Sequence, residues 1–519
     1  MGASFPNVTS NINSALTAQD AGERSILLVG CMISGTASSG QLIENIVSKA
    51  EFNAYFGAKS QVAKAGRAMI DALSVSKIKP KISAIGLTDN GSGVAATGSI
   101  AFSGTASAAG TLTVYIDSIR NGKYELSVAN GDTANSIGVA LAALINANTF
   151  SPVTAVNTTG SVALTATNDG TQGNTIGIKI EGTVAGISTT LTAMSSGATN
   201  PSLTSLFDPV ADKRYTSIVY PAEWGVSTLT AFTEARFNVD NKIIDGLGIV
   251  CKNDTYSNTN TAGDALNQKT LAPYIGNNLV STATHKGGAI FESPIVIASY
   301  FACLRELRLT EGANVSSITT NGQSIGGSFF GGIPYHNTPF NLLPTIETGH
   351  DFSDTECLEL ENSGITLLRN NPSNTTIICN EAVTTYKTDA LGQIDKTFKY
   401  INYVDTLTIV RDYVFQNLKA DFSQHILTTG QLIAGRPMVN REGFIAKMMS
   451  YYGALSGYKT GNNNYVLLRA GSEEANAFKQ AIEDSIVITL VDGKITAESI
   501  ANIVSQVRQL IVNFTPTFE

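Results

Sequence analysis

Residues 351–365 begin the stretch that decides the fold, and they read Asp351-Phe-Ser-Asp-Thr-Glu-Cys-Leu-Glu-Leu-Glu-Asn-Ser-Gly-Ile365. Ser353 and Glu356 have the spacing of a capping box, in which each side chain accepts a hydrogen bond from the other residue's backbone N–H. A helix is therefore predicted to begin here. Gly364 predicts its end, because glycine tolerates the positive φ that commonly follows a helix.

Two further patterns follow, up to residue 422. Residues 376–387 alternate and are rich in Ile, Val, Thr and Tyr, which predicts a strand. This segment includes most of Glu381-Ala-Val-Thr-Thr-Tyr-Lys-Thr388, and the chain continues to Tyr403-Val-Asp-Thr-Leu-Thr-Ile-Val-Arg-Asp-Tyr413. A second amphipathic helix is predicted from apolar residues that recur at helical spacing, namely Val404, Leu407, Val414 and Leu418.

The order of these elements, with a Thr-Thr-Tyr strand before an Asp-Thr-Leu helix, resembles the sheath proteins of contractile phage tails, especially the Mu-like type. Arg24-Ser-Ile-Leu-Leu-Val-Gly30 resembles the first core strand of that family, and Phe52-Asn-Ala-Tyr-Phe-Gly57 precedes a helix over about 61–74 as it does there. Ala109-Gly-Thr-Leu-Thr-Val-Tyr-Ile-Asp117 and Asn130-Gly-Asp-Thr133 resemble its inserted β-domain. The resemblance covers most of the chain, although the last residues depart from the usual ending.

The resemblance implies a structural subunit without an active site or a cofactor. Such subunits polymerise as stacked six-fold rings around a tail tube and contract by rigid-body rearrangement, which drives the tube through the host envelope. The implied partners are copies of the chain itself, the tail tube protein, the baseplate and the tail terminator or neck proteins. The implied location is the virion tail, assembled in the host bacterial cytoplasm.

The expected fold class is α/β and α+β multidomain, with a sheath core, an inserted β-rich domain and extended terminal arms. The resemblance implies a subtilisin-like topology for the α/β domain. The predicted segments are an N-terminal arm (1–22), the first part of the core (23–87), the inserted β-rich domain (88–198), the α/β domain (199–350), the second part of the core (351–508) and a C-terminal arm (509–519).

The inserted domain is recognised by a sharp rise in Gly, Ala, Ser and Thr near residue 88. Asn121-Gly122 predicts a hairpin between strands at 112–116 and 124–128. Asp132 is the predicted N-cap of one helix, whose buried stripe would be Ile137, Leu141, Leu144 and Ile145. Residues 182–205 are predicted to form the return linker.

The α/β domain is predicted from short apolar runs at 216–220 and 247–251, which are typical of buried parallel strands. Residues 226–243 would form the crossover helix between them. A charged cluster of Arg305, Glu306 and Arg308 follows a later apolar run. It fits equally well a helix cap face and an ion-pair patch between subunits.

The terminal arms carry the candidate contact residues. Leu510, Val512 and Phe514 would share one face of a strand, with Ile511 on the other. A lone apolar strand at a terminus needs a partner, which is either its own core or a neighbouring copy. The resemblance favours the neighbour. The N-terminal arm, with Phe5 and Val8, has too few apolar residues to pack alone.

Composition excludes several other functions. A net charge of −8, without a long run of Lys or Arg, makes direct nucleic-acid binding unlikely. The five cysteines are scattered without a CxxC pair and the four histidines lack metal-ligand spacing, so neither a metal site nor a disulfide framework is expected. No signal peptide or membrane span is expected either.

Three alternative functions were weighed against the sheath. A β-rich surface adhesin or surface-layer protein would need a secretion signal. A subtilisin-like hydrolase would need an ordered Asp–His–Ser set, whereas His350-Asp351 is better explained as part of a loop. The sheath of an R-type injection particle cannot be distinguished from a phage tail sheath by sequence.

Overall fold

The computed structural model describes residues 24–74, 76, 79–237, 244–277, 290–311, 317–320, 323–326, 335–347, 352–456, 472–489 and 494–497. The helices within these residues are α1 (Lys49–Phe56), α2 (Gln61–Ala72), α3 (Ala134–Ala147), α4 (Ser227–Glu234), α5 (Tyr256–Asp264), α6 (Pro294–Glu311), α7 (Asp354–Asn362), α8 (Ile401–Phe422), α9 (Arg441–Ser456) and α10 (Ser472–Ser485).

The strands follow the same chain order. They are β1 (Ser25–Cys31), β2 (Leu42–Ile43), β3 (Lys81–Leu87), β4 (Ala95–Gly104), β5 (Gly110–Ile116), β6 (Ser118–Val128), β7 (Val153–Thr158), β8 (Ser161–Asp169), β9 (Ile178–Glu181), β10 (Ile187–Ser195), β11 (Ser217–Val219), β12 (Leu247–Asn253), β13 (Leu271–Asn277), β14 (Ser317–Thr320), β15 (Gln323–Gly326), β16 (Pro339–Phe340), β17 (Thr366–Asn370), β18 (Ile377–Glu381), β19 (Ile426–Leu427), β20 (Met438–Val439), β21 (Val487–Thr489) and β22 (Lys494–Thr496).

A nine-stranded mixed sheet organises most of the chain, in the order β16-β18-β17-β13-β12-β11-β1-β3-β2. The central strands, from β17 to β3, pair in parallel, whereas β2, β16 and β18 pair antiparallel with their neighbours. Parallel sheets need helices on both faces, because their strands are apolar on both sides. The sheet takes strands from three of the predicted segments, 23–87, 199–350 and 351–508.

Strand β1 shows how the helices cover this sheet. Its residues alternate between two apolar clusters, as the two-residue period of a strand requires. Ile26 and Leu28 belong to the cluster that contains α2, α6, α8, α9 and α10. Leu27, Val29 and Cys31 belong to the cluster that contains α4, α5 and α7. The sheet is thus the middle layer of a three-layer α/β arrangement.

The elements predicted for residues 351–422 are confirmed. Ser353 and Glu356 form the capping box at the start of α7, and Gly364 follows the helix with a φ of 81°. The second amphipathic helix is α8, whose predicted apolar stripe is buried. The strand is shorter than predicted, because pairing in β18 ends at Glu381.

Residues 88–198, called the insert below, carry two sheets of their own. One has the order β10-β4-β8-β7, the other β6-β5-β9, and α3 packs with both around a separate apolar cluster. The insert begins and ends side by side, because Val94 and Ala198 form an antiparallel bridge. Residues 182–205 are not a plain linker as predicted, since β10 pairs along β4.

The predicted hairpin is present, but its turn is displaced. Strands β5 and β6 pair antiparallel, and the positive φ of 69° falls on Asp117, a residue type that tolerates this conformation. Asn121-Gly122 lies inside β6 instead. Gly122 approaches the Ile116 carbonyl oxygen so closely that a Cβ would sit 1.8 Å from it, which explains the glycine.

Helix α3 begins one residue later than predicted. Thr133 is the N-cap and accepts a hydrogen bond from the Ser136 N–H, whereas the Asp132 carboxylate accepts from the Ala129 N–H. The predicted stripe is buried except for Leu144, which is 41% exposed. The Thr133 hydroxyl therefore caps the helix, which is the role that the sequence predicted for Asp132.

The parallel strands predicted at 216–220 and 247–251 are confirmed as β11 and β12. The crossover helix between them is shorter than predicted, since α4 ends at Glu234 and residues 238–243 lie outside the described residues. The expected mixed α/β class with several sheets is confirmed. The subtilisin-like topology and the domain boundaries stay predictions.

Candidate functional site: a buried ion network and the insert–core interface

The residues predicted for the terminal arms lie outside the described residues. They are Phe5, Val8, Leu510, Ile511, Val512 and Phe514. His350 and Asp351, the pair considered for a hydrolase, also lie outside the described residues. The functional features that the structure does describe are an ion network in the core and the contact surface of the insert.

One half of the ion network is centred on Arg305 in α6. Its guanidinium bonds the Asp405 carboxylate in α8, with 2.6 Å between Nη2 and Oδ1, and also the Glu306 carboxylate at 2.9 Å. Tyr335 donates its hydroxyl to the other oxygen of Asp405 at 2.8 Å. Ser217 of β11 donates to Glu306 as well. These bonds tie two helices to the centre of the sheet.

The other half is centred on Arg214, just before β11. Its two terminal nitrogens bond both oxygens of Asp412 in α8, at 2.9 and 3.1 Å. Asp245, just before β12, lies 3.6 Å from Arg214 and also pairs with Arg411. Arg24, just before β1, lies 3.9 Å from Asp412. The starts of three neighbouring strands are therefore pinned to one helix.

The network balances four arginines, Arg24, Arg214, Arg305 and Arg411, against four carboxylates, Asp245, Glu306, Asp405 and Asp412. Burial disfavours the charge of Arg214, but Asp412 and Asp245 outweigh it and raise its pKa. Burial likewise disfavours the charge of Asp245, but Arg411 and Arg214 lower its pKa. Each buried charge thus depends on its partners, so the network holds the helices and strands in one fixed arrangement.

The structure divides the Arg305 cluster: Arg308 is in the last turn of α6, as the helix-cap interpretation predicts, whereas Arg305 and Glu306 belong to the core. Arg305 is 2% exposed and Glu306 is fully buried, so neither side chain is on a solvated helix face or available to another subunit. The guanidinium of Arg308 lies over the ring of Tyr335 at 4.9 Å. Three charged residues after an apolar run indicated a surface, but partners distant in sequence make burial possible.

The insert touches the core, meaning the other described residues, through exposed polar contacts at residues 341–347 and through buried polar contacts at two places. At the first, Lys64 of α2 forms a 2.6 Å ion pair with Asp117 at the β5–β6 turn. The neighbouring Ser118 donates its hydroxyl to Glu292 at 2.7 Å. The other oxygen of Glu292 accepts the Ser293 N–H at 3.0 Å. The turn of the insert hairpin is thus held just before helix α6.

At the second place, the end of β8 and the residues after it contact the sheet. Asn168 donates to the Met32 carbonyl at 3.0 Å and to the Asp89 carboxylate at 3.1 Å. Gln172 donates to the sulfur of Cys31 at 3.2 Å and accepts the indole N–H of Trp224 at 3.4 Å. The indole N–H of the chain's single tryptophan therefore contacts the insert, while its ring belongs to the apolar cluster that contains α4, α5 and α7.

Two glutamates at this interface have unusual electrostatics. Burial and the nearby Asp117 raise the pKa of Glu292 to about 7, against the hydrogen bonds from Ser118 and Ser293. Burial raises the pKa of Glu223 to about 7. One oxygen of Glu223 is buried and accepts no hydrogen bond within the described residues. Both carboxyls are therefore destabilised as anions.

No group of three or more His, Cys, Asp or Glu side chains is placed to hold a metal ion within the described part of the chain. His336 and His425 are exposed there. Among the helices of the described residues, none combines the length and apolar content needed to cross a bilayer.

Sequence reasoning missed the ion network and the polar insert contacts. A signal for the network was present, because Arg411 and Asp412 interrupt the apolar pattern of α8 and Arg24 and Arg214 directly precede strands. No comparable local signal marks Lys64, Asp117 or Glu292, whose contacts span 53 residues or more along the chain.

Comparisons with known proteins show what the chain is similar to. No family model matches the chain. The tail sheath protein of the Mu-like prophage FluMu of Haemophilus influenzae is 25% identical over 416 residues, which are 78% of this chain and 76% of the relative. A solved sheath tail protein from Listeria innocua covers 93% of each chain at 12% identity and a TM-score of 0.42, too distant to carry an argument. The predicted resemblance is confirmed: this chain is a relative of a Mu-like phage tail sheath protein, which supports a structural role in a phage tail sheath.

Proposed function

We propose that the chain is a subunit of a contractile phage tail sheath. Its copies would form stacked six-fold rings around a tail tube and contract by rigid-body rearrangement, driving the tube through the host envelope. The observation that carries this proposal is the 25% identity to the FluMu sheath protein over 78% of the chain. It is a structural role and requires no catalytic residue.

The interior of the molecule supports rigid-body movement. The nine-stranded sheet is buried between helices, and the ion network fixes α6 and α8 to the starts of its strands. Breaking any one ion pair would leave an uncompensated charge in the interior. A subunit built this way rotates or shifts as a unit rather than by bending its core.

Rings and helices of identical subunits need heterologous contacts, in which different surfaces of two copies meet. We propose that residues 1–22 and 509–519 provide part of them by adding strands to neighbouring copies. The loop after β18 is a second candidate surface. Leu391 and Ile394 are 83% and 85% exposed on this loop, where Asp389 accepts the N–H groups of Leu391 and Gln393.

The proposed partners beyond the chain itself are the tail tube protein, the baseplate and the tail terminator or neck proteins. The proposed place of assembly is the host bacterial cytoplasm. Electron microscopy of the purified full-length protein tests the class. Tubes or striated cylinders are expected; discrete particles under every assembly condition would contradict the proposal.

Removal of residues 509–519 tests the arm. We expect a folded protein that no longer forms cylinders, because Leu510, Val512 and Phe514 would lose the neighbour that buries them. Burial of each apolar side chain contributes about 1.5–3 kcal/mol. A triple Leu510→Ser, Val512→Ser, Phe514→Ser variant should behave alike, whereas Asn513→Ser should assemble normally. Long cylinders from the truncated chain would exclude the arm model, and failure to fold would assign the strand to its own core.

A further inference from the structure

The insert docks on the core with more buried negative charge than its cation can neutralise. Asp117 and Ser118 of the insert are each 4% exposed, and Glu292 of the core is 7% exposed. Lys64 pairs with Asp117 at 2.6 Å. Glu292 receives hydrogen bonds from Ser118 and Ser293, neither of which carries charge. When both acids are ionised, two carboxylates share one ammonium group in a buried contact.

The other groups around this contact do not correct the imbalance. Tyr300 of α6 is near Glu292 and is neutral, and Arg120 of the insert interacts with both Tyr300 and the Asn341 carbonyl. Lys179 is already paired with Glu181 and Glu347. The second contact adds further acids, Asp89, Asp169 and Glu223, which lie close to Cys31. Lys252 also acts on Glu223, but it is paired with Asp254 at 3.0 Å.

Glu223 belongs to the same interface. Its backbone carbonyl accepts hydrogen bonds from the Thr171 hydroxyl of the insert at 3.0 Å and from the Asn200 side chain at 3.1 Å. It lines a small cavity together with Lys64, Gln172 and Ser293. The two glutamates thus sit on the core side of the insert's contact, one at each of its two places.

We propose that docking of the insert on the core takes up protons at Glu292 and Glu223, so that acidification tightens this interface and alkaline conditions loosen it. Docking of the insert is a change within one copy of the chain and does not depend on polymerisation.

The direction follows from proton linkage. An undocked, hydrated glutamate titrates near its ordinary pKa of 4.5, whereas the docked carboxyls have pKa values of about 7. Their favourable contribution is complete below pH 4.5 and is lost as the pH rises through about 7. Burial also raises the pKa of Asp89, which acts in the same direction. For Glu292 alone, the docking equilibrium should change on the order of 100-fold over this range.

Trp224 provides the readout, since it is the chain's single tryptophan and its indole N–H donates to Gln172 of the insert. The full-length protein is titrated with urea at pH values from 5 to 8.5, and Trp224 emission is compared with far-UV circular dichroism. We expect Trp224 to become solvent-exposed at a lower urea concentration than the one that unfolds the core. The urea midpoint of the Trp224 transition should fall as the pH rises. Coincidence of the two transitions at every pH would overturn the proposal.

Glu292→Gln is the decisive variant, because glutamine keeps an oxygen for Ser118 and Ser293 but cannot be ionised. Its Trp224 midpoint should lose a large part of the pH dependence. Glu125→Gln is the matched control on an exposed residue of β6 and should behave like the unmodified protein. Glu223→Gln removes the titrating carboxyl next to Trp224. Any pH dependence of the Trp224 midpoint that remains in this variant therefore comes from docking and not from the charge of Glu223 beside the indole. An unchanged pH dependence in Glu292→Gln would refute the inference.

Asp117→Asn keeps the experiment decisive if Glu292→Gln does not fold. Asparagine tolerates the positive φ at this position. Lys64 would then stabilise the Glu292 anion without a competing carboxylate, so the pKa of the docked Glu292 should fall and the Trp224 midpoint should depend less on pH. An unchanged pH dependence would also refute the inference. Neither result bears on cylinder formation, so this proposal and the sheath proposal fail separately.

Discussion

At the scale of single residues, the buried pairing of Arg214 with Asp412 constrains both side chains. Two parallel N–H···O bonds between a guanidinium and a carboxylate have both charge and fixed geometry, and such bonds are roughly twice as strong as neutral ones. Burial makes the pair more demanding, because neither side chain can turn to water if the other is lost. The contribution of this pair therefore appears when one partner is removed.

Asp412→Asn should lower the free energy of unfolding by about 3 kcal/mol, since breaking a buried pair costs about 3–5 kcal/mol. Asp71→Asn is the control, because Asp71 pairs with Lys49 while both side chains are about half exposed. That change should cost under about 1 kcal/mol. Urea unfolding followed by circular dichroism measures both. Equal shifts in the two variants would show that the network does not stabilise the core.

The ion network and the insert interface should respond to acid in opposite directions. The lowered pKa of Asp245 means that its contribution is present above its ordinary value of 3.8 and is lost as the pH falls through the lowered value. The core should therefore keep its circular dichroism at pH 5, where insert docking is favoured, and lose it only in stronger acid. Asp245→Asn should remove that acid-dependent part. Core unfolding between pH 5 and 7 would contradict this assignment.

At the scale of elements, the capping box of α7 is the most direct link between sequence and structure. Ser353→Ala should destabilise the protein by about 1 kcal/mol, because the Glu356 N–H loses its side-chain acceptor. Ser450→Ala is the control, since Ser450 is an exposed position inside α9. Alanine there should be neutral or slightly stabilising. Calorimetry distinguishes the two, and an equal effect would contradict the cap's importance.

Helices were predicted more accurately than strands and turns, for a physical reason. The signals for α2, α7 and α8 are local, because caps and apolar stripes lie within one helix. Strand ends depend on partners elsewhere, so the segment 376–387 pairs only as far as Glu381 and β10 was mistaken for part of a linker. The Asn121-Gly122 signal was real, but a local bulge moved the turn to Asp117.

At the scale of the whole molecule, the insert has its own apolar cluster and its two ends are adjacent. Both features indicate that the core can fold without it. Replacing residues 88–198 by a short Gly/Ser linker should leave a core that unfolds cooperatively, because Val94 and Ala198 already lie side by side. The midpoint should fall, since Trp224 and Cys31 lose their cover. Inserting the same linker at the exposed Gly91 without a deletion is the control. Loss of all cooperative unfolding would show that the core needs the insert.

The change of composition near residue 88 was visible in the sequence, but the contacts between distant parts of the chain were not. Composition marked the insert because Gly, Ser and Thr density changes along the chain, which one sequence displays directly. The ion network joins residues that are nearly 400 positions apart in the sequence. Its pairs include Arg24 with Asp412, Arg214 with Asp245 and Arg411 with Asp245. Charge alone predicts exposure for such residues, and only the folded arrangement provides the partners that reverse it.

All five cysteines are buried thiols that form no disulfide, and burial raises the pKa of Cys31, Cys251, Cys303 and Cys379 well above the ordinary thiol value. The thiolate is the reactive form, so these sulfurs are slow to be oxidised or alkylated. In a dense array of identical molecules, an accessible sulfur would meet its equivalents and form covalent cross-links that stop any sliding of one copy past another. The native chain avoids this, and a single cysteine engineered on its surface becomes a selective handle for maleimide dyes or for trapping two copies in one register.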